Sequence, residues 1–438
     1  MKVRRPFVKG ALSGELELQA RWFAGEFGRD FCGTEGERVR IVQFGIWNRT
    51  AGPDFVEAAV SIDGAEPKRG AIEIDPDVKD WERHGHSQNT DYEGVVLHVF
   101  EHRGGDRVFS RTKMHRLIVQ VQLSPVENRG LADGALARAG RCAPLLAAQS
   151  LEQIRLTLSE AALFRFQRKA TALHRTGDAH GENEALYQAL AMGMGYPNNQ
   201  LPFRLLAQRL PLRRLSQDPD GAEALLYGVS GFLPAPDLSV LPLEARVHVR
   251  GLWQRWWPHR VAYQSLQVPQ SVWRLGGQRP ANHPARRVGA LSVLVRHWRA
   301  LRRLVGAKDW KRLAKILCGM THAFWSHHYT FGSPASPRPI ALIGRERLEE
   351  LLANSLLPFA GDWEKLSTLR TRDHNRRSRI AATRLLALRP DAKKLLSEAV
   401  CQQGLLQLYE DFCCCDASDC AHCPFPEQTA AARTIPVV

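Results

Sequence analysis

The chain has 438 residues, of which 44% are hydrophobic and 24% charged, and its formal net charge is +15. These values are ordinary for a globular protein and exclude a disordered or collagen-like chain. No apolar run approaches the roughly 18 residues of a membrane span, and no apolar stretch follows the basic start, so we expect neither a membrane protein nor a secretory signal. The positive charge favours a polyanionic partner, with nucleic acid first.

Residues 1–125 have the pattern of an α/β domain. The expected elements are a helix at 14–28, a strand at 38–47, hairpin strands at 58–62 and 71–75, a short helix at 77–83 and a buried strand at 94–100. Asp63–Gly64 supplies the turn of the hairpin, because both residue types tolerate the left-handed conformation that a tight hairpin turn needs.

Acidic residues flank this hairpin. Pro53–Asp54 precedes its first strand, and Glu73 and Asp75 alternate along its second strand. Carboxylates that converge repel each other unless a divalent cation lies between them, so the pattern predicts a site for Mg²⁺ or Mn²⁺. Such an ion would polarise a phosphate and generate hydroxide from water. The alternative is a turn in which Asp54 accepts hydrogen bonds from backbone amides, beside a strand whose acids face solvent.

The Pro-Asp, the hairpin and the acid on its second strand resemble the PD-(D/E)XK nuclease superfamily, whose core order is αβββαβ. The resemblance implies a metal-dependent nuclease in which Asp54 and Glu73 bind the metal, Asp75 assists and Glu15 of the first helix adds a carboxylate. Asp75 stands where the motif has lysine. We therefore expect Lys79, a basic residue of the hairpin loop or a histidine to take the place of that lysine.

A group of histidines follows the hairpin. His84 and His86 are two residues apart, so in extended backbone their side chains point the same way, and Asp91 and His98 come shortly after. Imidazoles and a carboxylate at this spacing can bind zinc, manganese or iron, or act as general acid and base. The structural alternative is a polar turn with His98 hydrogen-bonded in the core.

A second resemblance spans nearly the whole chain. The sequence is similar to an uncharacterised bacterial family, a domain of unknown function with an Asn before Gly-Pro-Asp-Phe, then Glu-Ile-His, Asp-Trp, His-x-His, Tyr and Leu-His-Val. The matching residues are Asn48, Gly52–Phe55, Glu73–Ile74, Asp80–Trp81, His84, His86, Tyr92 and Leu97–Val99. Asp75 stands where that family usually has histidine. The likeness identifies relatives but implies no activity, because the family has none assigned.

The pattern turns helical after a polar, glycine-rich stretch at 126–145 that is typical of a linker, and we expect a helical domain at 146–400. Within it, one basic loop is a candidate for binding the phosphates of nucleic acid. Its residues are Arg274, Arg279, Asn282, Arg286 and Arg287. Alternatively these arginines bond helix ends or acids. The same region is rich in tryptophan, which either stacks on unpaired bases or fills a helical core.

Cysteines are concentrated in residues 401–438. Cys415, Cys420 and Cys423 form C-x4-C-x2-C, a spacing at which thiolates can bind a soft metal ion or cluster. The first choice of fourth ligand is Cys142, and the other candidates are Cys401, Cys413 and His422. The layout is similar to that of helicase-linked members of the PD-(D/E)XK superfamily, which implies a 4Fe-4S cluster, with Zn²⁺ as the alternative. The structural alternative is a hook of reduced thiols.

These patterns favour a nuclease-like protein that cleaves DNA or RNA. Two other functions stay open: a non-catalytic nucleic-acid-binding or assembly protein on a decayed nuclease fold, and a histidine-centred metallohydrolase with a non-nucleic substrate. Because the cysteines do not have the spacing of a disulfide framework, we expect a reducing, cytoplasmic setting.

Overall fold

The computed structural model describes residues 15–48, 51–104, 108–123, 138–233, 238–276, 279–371, 376–416 and 420–431. The chain forms two compact units. One comprises residues 1–157, 374–395 and 405–438, and the other comprises residues 158–373 and 396–404. The expected divisions at 125, 145 and 400 differ from these limits, because segments that are distant in the sequence belong to the first unit.

A seven-stranded sheet forms the centre of the first unit. Its strands are β1 (Asp30–Cys32), β2 (Arg38–Gln43), β3 (Ile46–Trp47), β4 (Phe55–Ile62), β5 (Lys68–Asp77), β6 (Val95–His102) and β7 (Val119–Gln122). The order across the sheet is β1-β2-β4-β5-β6-β7, and β3 pairs with β4. Neighbours from β1 to β5 are antiparallel, whereas β6 is parallel to both β5 and β7.

The β4–β5 hairpin is present as expected, with longer strands than the sequence indicated. Its turn follows the predicted chemistry, since Asp63 (φ 53°) and Gly64 (φ 79°) both adopt left-handed backbone. The Asp63 carboxylate also accepts a hydrogen bond from the backbone N–H of Arg38 (2.8 Å). Strand β5 continues to Asp77, so the short helix begins at Asp80 rather than at Asp77.

The helix α1 (Glu15–Ala24) covers one face of the sheet, and its apolar residues pack with Ile72 and Ile74 of β5. Side chains alternate along a strand, so Glu73 points to the opposite face. Trp81 lies in a smaller apolar cluster on that side of the sheet. The alternation of β5 therefore places its acids beside aromatic rings rather than beside α1.

Helices form most of the remaining chain, which confirms the expectation of a mostly helical region after the sheet. They are α2 (Asp80–Arg83), α3 (Ala143–Ala147), α4 (Leu151–His180), α5 (Glu182–Met194), α6 (Tyr196–Arg209), α7 (Leu212–Leu215), α8 (Ala222–Ser230), α9 (Leu243–Trp256), α10 (Arg260–Tyr263), α11 (Pro284–Arg296), α12 (Trp298–Gly306), α13 (Trp310–Cys318), α14 (Arg345–Leu351), α15 (Leu357–Phe359), α16 (Trp363–Thr368), α17 (Arg376–Leu386), α18 (Ala392–Leu396), α19 (Ala399–Leu408) and α20 (Phe425–Ala431). Within the described residues, none of these helices combines the length and the apolar character needed to cross a bilayer.

The second unit has a large apolar core, and tryptophans fill much of it. The buried ones are Trp256, Trp273, Trp298, Trp310 and Trp325. For these side chains the packing interpretation is correct, because a ring buried in a core cannot stack on a base. Trp257 differs from them, with 53% of its surface exposed.

Candidate functional site

Asp54 and Glu73 lie next to each other at the end of the hairpin opposite its turn. Oδ1 of Asp54 accepts a hydrogen bond from Nε2 of Gln19 (2.6 Å), and Oδ2 accepts one from the backbone N–H of Ile74 (3.0 Å). Oε2 of Glu73 accepts a hydrogen bond from the backbone N–H of Asp54 (2.9 Å). The two acids therefore lie close together, and each binds a backbone donor, which is the role that the structural alternative assigned to Asp54.

The position of these two carboxyl groups makes their ionisation costly. Burial, followed by repulsion from Glu73, raises the pKa of Asp54 to about 9. Burial, followed by repulsion from Asp75, raises the pKa of Glu73 well above its usual value. Without a cation Asp54 holds a proton at neutral pH and ionisation of Glu73 is disfavoured, whereas a bound cation would favour the ionised form of both groups.

Asp75, at the position of the motif lysine, lies between two histidines. Its Oδ2 is 3.2 Å from Nε2 of His98, and its Oδ1 is 3.4 Å from Nδ1 of His84. Nδ1 of His98 is 2.6 Å from Oγ of Ser110. A carboxylate only accepts hydrogen bonds, so in the neutral ring Nε2 of His98 donates to Asp75 and Nδ1 accepts the hydroxyl proton of Ser110. The chain Ser110–His98–Asp75 fixes the orientation of the carboxylate.

His86 is held by aromatic rings. Its imidazole stacks on Tyr92 with the ring centroids 4.0 Å apart, and the edge contact with Trp81 has a centroid distance of 5.3 Å. Nε2 of His86 lies 3.0 Å from Oε1 of Glu73 but without hydrogen-bond geometry, so this buried nitrogen has no hydrogen-bond partner among the described residues. Burial lowers the pKa of His86 and favours the neutral ring, which is the form that binds metals.

Asp75, His84 and His86 form a group of possible metal ligands, in which one ligand atom of each lies within 4.8 Å of the others. This set fits a metal ion. Asp75 and His86 are buried, whereas the His84 side chain is 40% exposed and leaves that side of the group open to solvent. Mixed imidazole and carboxylate donors favour Mn²⁺, Zn²⁺ or Fe²⁺ over Mg²⁺. Of the three acids expected as ligands, the structure thus places Asp75 in the group, and Glu73 reaches it through its approach to His86.

The resemblance implied roles in the site for Glu15 and Lys79, and their surroundings in the structure differ from those roles. Oε1 of Glu15 accepts a hydrogen bond from Nε2 of Gln19 (3.1 Å), and the same amide donates to Asp54, so Glu15 is linked to the acids through Gln19. Lys79 is exposed at the start of α2, with its Cε beside Gly104. The basic side chains that the structure places on Asp75 are those of histidines rather than the lysine of the motif.

Two residues of this site were absent from the sequence prediction. Gln19 lies one helical turn after Glu15, on the same face of α1, so helical periodicity could have indicated it. Ser110 lies outside any helix or strand, and no pattern in the sequence marks it. Asn48, which matches the family pattern, donates to the carbonyl of Pro53 (2.8 Å) and holds the turn before Asp54.

Arg286 and Arg287, expected in a phosphate-binding loop, lie instead in α11 and are buried, 0% and 4% exposed. Arg286 donates to the carbonyls of Trp325 (3.1 Å) and Ile340 (2.8 Å), and Arg287 donates to the carbonyl of Leu342 (2.5 Å). Buried carbonyls outside a helix or sheet need donors, and these guanidinium groups supply them. These contacts favour the structural alternative, in which both residues hold the second unit together.

The other members of the predicted loop have different surroundings. Oδ1 of Asn282 accepts a hydrogen bond from Arg287 (2.8 Å), so this amide takes part in the same structural network. Arg274 and Arg279 are exposed. Only these two of the five predicted residues lie on the surface, where contact with nucleic acid is possible.

A buried carboxylate that no pattern indicated lies in the second unit. Glu223 accepts a hydrogen bond from Nε1 of Trp325 (3.2 Å), and its oxygens lie 3.1 Å from Nε2 of His322 and 3.3 Å from Nε2 of His248. Burial alone would raise the pKa of Glu223, but the two histidines lower it to about 2. Nδ1 of His322 accepts the backbone N–H of Phe324 (3.1 Å), which fixes the proton on Nε2. His322 is therefore a donor to the carboxylate and not a free metal ligand.

The cysteines that are buried in the structure are not the same set as the predicted ligands. Cys415, expected as a ligand, is exposed, and its thiol lies 3.3 Å from the carbonyl oxygen of Glu410. A π-helical turn at Tyr409–Cys413 precedes it and turns the Cys413 thiol inward. The buried thiols of the first unit are those of Cys142, Cys413, Cys420 and Cys423. Among the described residues, no cysteine forms a disulfide bond.

The chain belongs to a family described as proteins of unknown function (DUF2851), which it matches over residues 15–380. This match confirms the likeness to a domain of unknown function. No curated protein and no solved structure matches the chain. The matched region includes the sheet and the histidines but ends before Cys413, and it assigns no activity to either.

Proposed function

We propose that this chain is a metal-dependent hydrolase of phosphodiester bonds in DNA or RNA, with its metal bound by Asp75, His84 and His86. The observation that carries the proposal is the meeting of these three ligand atoms within 4.8 Å beside two further buried acids, Asp54 and Glu73. Carboxyl groups crowded without a compensating charge are a common mark of functional sites, because their ionisation opposes stability.

The topology of the sheet supports a nuclease-like core. Strands β2, β4 and β5 form an antiparallel series, and β6 follows parallel to β5 after the short helix α2. If β1 and β3 are treated as additions, the order of these elements after α1 supports the αβββαβ core that the PD-(D/E)XK resemblance implies. Asp54 precedes β4 and Glu73 lies on β5, which are the positions of the motif acids. The one-turn α2 and the absent lysine are departures from that pattern.

The residues of the site have separate roles in this proposal. A bound Mn²⁺ would polarise the phosphate and lower the pKa of a water molecule. Asp75 and His86 supply buried ligands whose orientation is fixed by His98 and Tyr92. His84 supplies the ligand on the solvent side, where substrate would approach. Burial and repulsion from Asp75 raise the pKa of Glu73, so the neutral carboxyl group is favoured when the metal is absent.

The charge of the chain supports a nucleic-acid substrate. Lys and Arg number 60 and Asp and Glu 45, which gives the net charge of +15. Such an excess draws polyanions by long-range attraction and weakens with salt. The exposed Arg274 and Arg279 add local positive charge in the second unit.

Cleavage of end-labelled DNA and RNA by the full-length protein tests the proposal. We expect cleavage with Mn²⁺, none with EDTA, and a fall of at least about 100-fold in Asp75→Asn. His102→Ala is a matched control, because His102 is exposed at the end of β6, and it should cleave normally. Cleavage that persists unchanged in Asp75→Asn and in His86→Ala would contradict the proposal. Cleavage by Asp54→Ala shows whether the neighbouring acids contribute to activity in addition to the three ligands.

A histidine-centred metallohydrolase with a non-nucleic substrate is the second candidate. The observation that favours it is the presence of two imidazoles among the three ligands, a donor set that Mg²⁺-dependent sites do not need. Metal-dependent hydrolysis of bis(4-nitrophenyl) phosphate without cleavage of DNA or RNA would favour this candidate. Failure of the unmodified protein to bind Mn²⁺ or Zn²⁺ in calorimetry would instead favour a non-catalytic binding protein.

A further inference from the structure

Four buried thiols come together in the first unit from three separate segments. Two of the segments provide one cysteine each, and the last provides a C-x2-C pair. The thiols are those of Cys142 (5% exposed), Cys413 (8%), Cys420 (8%) and Cys423 (6%). Free, buried cysteines are common singly as small apolar residues, but four in one place are not needed to fill a core.

Contacts around Gly140 and Arg384 show that the thiols of Cys142 and Cys420 face a common space. A Cβ atom at Gly140 would lie 3.5 Å from Sγ of Cys142 and 3.6 Å from Sγ of Cys420. The buried guanidinium of Arg384 donates to Sγ of Cys420 (3.0 Å), and the backbone carbonyl of Arg384 accepts from the N–H of Gly140 (2.7 Å). Cys413 lies close enough to Arg384 for that guanidinium to lower its thiol pKa, which burial raises to about 12.

Hydrogen bonds from other segments fix the backbone of the cysteine segment, which includes a strained conformation. Cys420 has φ 73°, a left-handed conformation that is costly for a residue with a side chain. The carbonyl of Cys423 accepts a hydrogen bond from Arg141 (2.9 Å), the neighbour of Cys142. The carbonyl of Cys413 accepts one from Arg69 of β5 (3.2 Å). The fold therefore holds all three segments in the register that brings the sulfurs together.

We propose that Cys142, Cys413, Cys420 and Cys423 are the four ligands of one thiolate-bound metal centre, an iron–sulfur cluster. Four cysteine thiolates are the full ligand set of such clusters and of structural zinc sites. The proposal does not rest on the proposed hydrolase activity, because it uses none of the residues of that site. It also differs from the spacing-based set, since Cys413 takes the place of Cys415.

The spacing and charge of the site favour a cluster over a single zinc ion. Among the described residues, no three of these sulfurs lie within 4.8 Å of one another. A zinc ion with Zn–S bonds of about 2.3 Å needs all four sulfurs about 3.8 Å apart. A cluster places several iron atoms between its cysteines and therefore accepts wider spacing. Arg384, beside the sulfurs, supplies positive charge and a hydrogen bond, both of which stabilise an anionic cluster.

The test begins with full-length protein purified without oxygen. We expect iron and acid-labile sulfide in equal amounts, and a broad visible absorption that dithionite bleaches. Protein without iron or zinc after this purification would overturn the proposal. Zinc bound in place of iron would overturn the assignment of an iron–sulfur cluster. X-ray absorption that shows four sulfur neighbours around the zinc would still support the four cysteine ligands.

Two serine variants separate the ligand sets. Cys413→Ser should lose most of the metal, whereas Cys415→Ser, the matched control two residues away, should keep the metal content of the unmodified protein. Loss in Cys415→Ser with retention in Cys413→Ser would overturn the assignment of Cys413. Circular dichroism identifies any variant that does not fold. The measurements on unmodified protein and on Cys142→Ser, which alters a separate segment, decide the proposal in that case.

Discussion

Nε2 of His98 lies 3.2 Å from Oδ2 of Asp75, on neighbouring parallel strands, and both side chains are almost fully buried. A lysine at position 75 would place a cation against this imidazole, so the aspartate suits a site that contains histidines. In the proposed nuclease-like site, the pair would explain how an acid replaces the motif lysine while its side chain stays ordered. His98 fixes the carboxylate through a hydrogen bond and is itself fixed by Ser110.

Loss of the Ser110 hydroxyl should weaken metal binding without removing a ligand. In Ser110→Ala, Nδ1 of His98 loses its partner, so the imidazole no longer holds Asp75 firmly. We expect the affinity for Mn²⁺ in calorimetry to fall about 10- to 100-fold, as is usual for groups that orient ligands. Ser61→Ala, on the other strand of the hairpin, is the control and should bind Mn²⁺ normally. Equal affinities for Ser110→Ala and the unmodified protein would show that metal binding by Asp75 does not depend on the hydrogen bond between Ser110 and His98.

The raised pKa of Asp54 predicts how stability depends on pH. The folded carboxyl group has a pKa of about 9, against an ordinary value of 3.8, so the folded state holds a proton that the unfolded state releases. The contribution of Asp54 to the stability of the metal-free protein should therefore be largest below pH 4 and fall as pH rises from about 4 to about 9, by on the order of a few kcal/mol. The check is the melting temperature in EDTA at several pH values.

Asp54→Asn is the matched variant for this measurement. It cannot ionise, so the fall in melting temperature with pH should be smaller than in the unmodified protein. Saturating Mn²⁺ should stabilise the unmodified protein more at pH 8 than at pH 6, because the ion competes with protons for the acids. A melting temperature that rises with pH in EDTA would show that these carboxyl groups are ionised in the folded state.

The sequence predicted the frame of this site and missed its details for identifiable reasons. The Asp63–Gly64 turn and the apolar runs beside it fix the hairpin, and hairpin geometry then brings Asp54 and Glu73 together. These are local features, and local patterns report them. The contact of Ser110 with the site depends on a segment without regular structure, which periodicity cannot place.

The cysteines and arginines show a different limit of sequence reasoning. The spacing C-x4-C-x2-C selected Cys415, but the π-helical turn that ends at Cys413 changes which thiol faces inward. No local pattern marks such a turn. Arg286 lies in a helix whose other residues are mostly apolar, so the sequence pattern does indicate that this helix is buried. Its partners are carbonyls distant in the sequence, and only the folded chain shows them.

Arg286→Ala should destabilise the second unit, in contrast to Arg279→Ala. The Arg286 guanidinium is buried and donates to several carbonyls, which would be left without a donor. We expect a loss of about 2–4 kcal/mol, seen as a lower melting temperature. Arg279 is exposed, so its removal should leave the melting temperature unchanged and weaken binding of labelled single-stranded DNA at low salt. Equal melting temperatures for the two variants would show that Arg286 does not stabilise the second unit.

Glu223→Gln tests whether the second unit depends on a buried charge. The carboxylate is ionised, since its pKa is lowered to about 2, and it lies against His248 and His322. An amide of the same shape keeps the packing but loses the charge and directs hydrogen atoms at Nε2 of His322, which already carries a proton. We expect a loss of about 1–3 kcal/mol near pH 7, measured by thermal unfolding. The difference should shrink as the pH falls from 4.5, the ordinary pKa of the group, to about 2, its pKa in the folded protein.

His84 and His86 should differ in what their removal costs, because one is exposed and the other is buried. The His84 side chain is 40% exposed, so His84→Ala should lower the affinity for Mn²⁺ at least tenfold while the melting temperature of the metal-free protein stays within about 1 °C. His86 stacks on Tyr92, so His86→Ala should lower both the affinity and the melting temperature. Calorimetry and thermal unfolding in EDTA check the two results. If His84→Ala bound Mn²⁺ as tightly as the unmodified protein, the metal would not be held by Asp75, His84 and His86. The crowded carboxyl groups of Asp54 and Glu73 would then have to bind a different ligand.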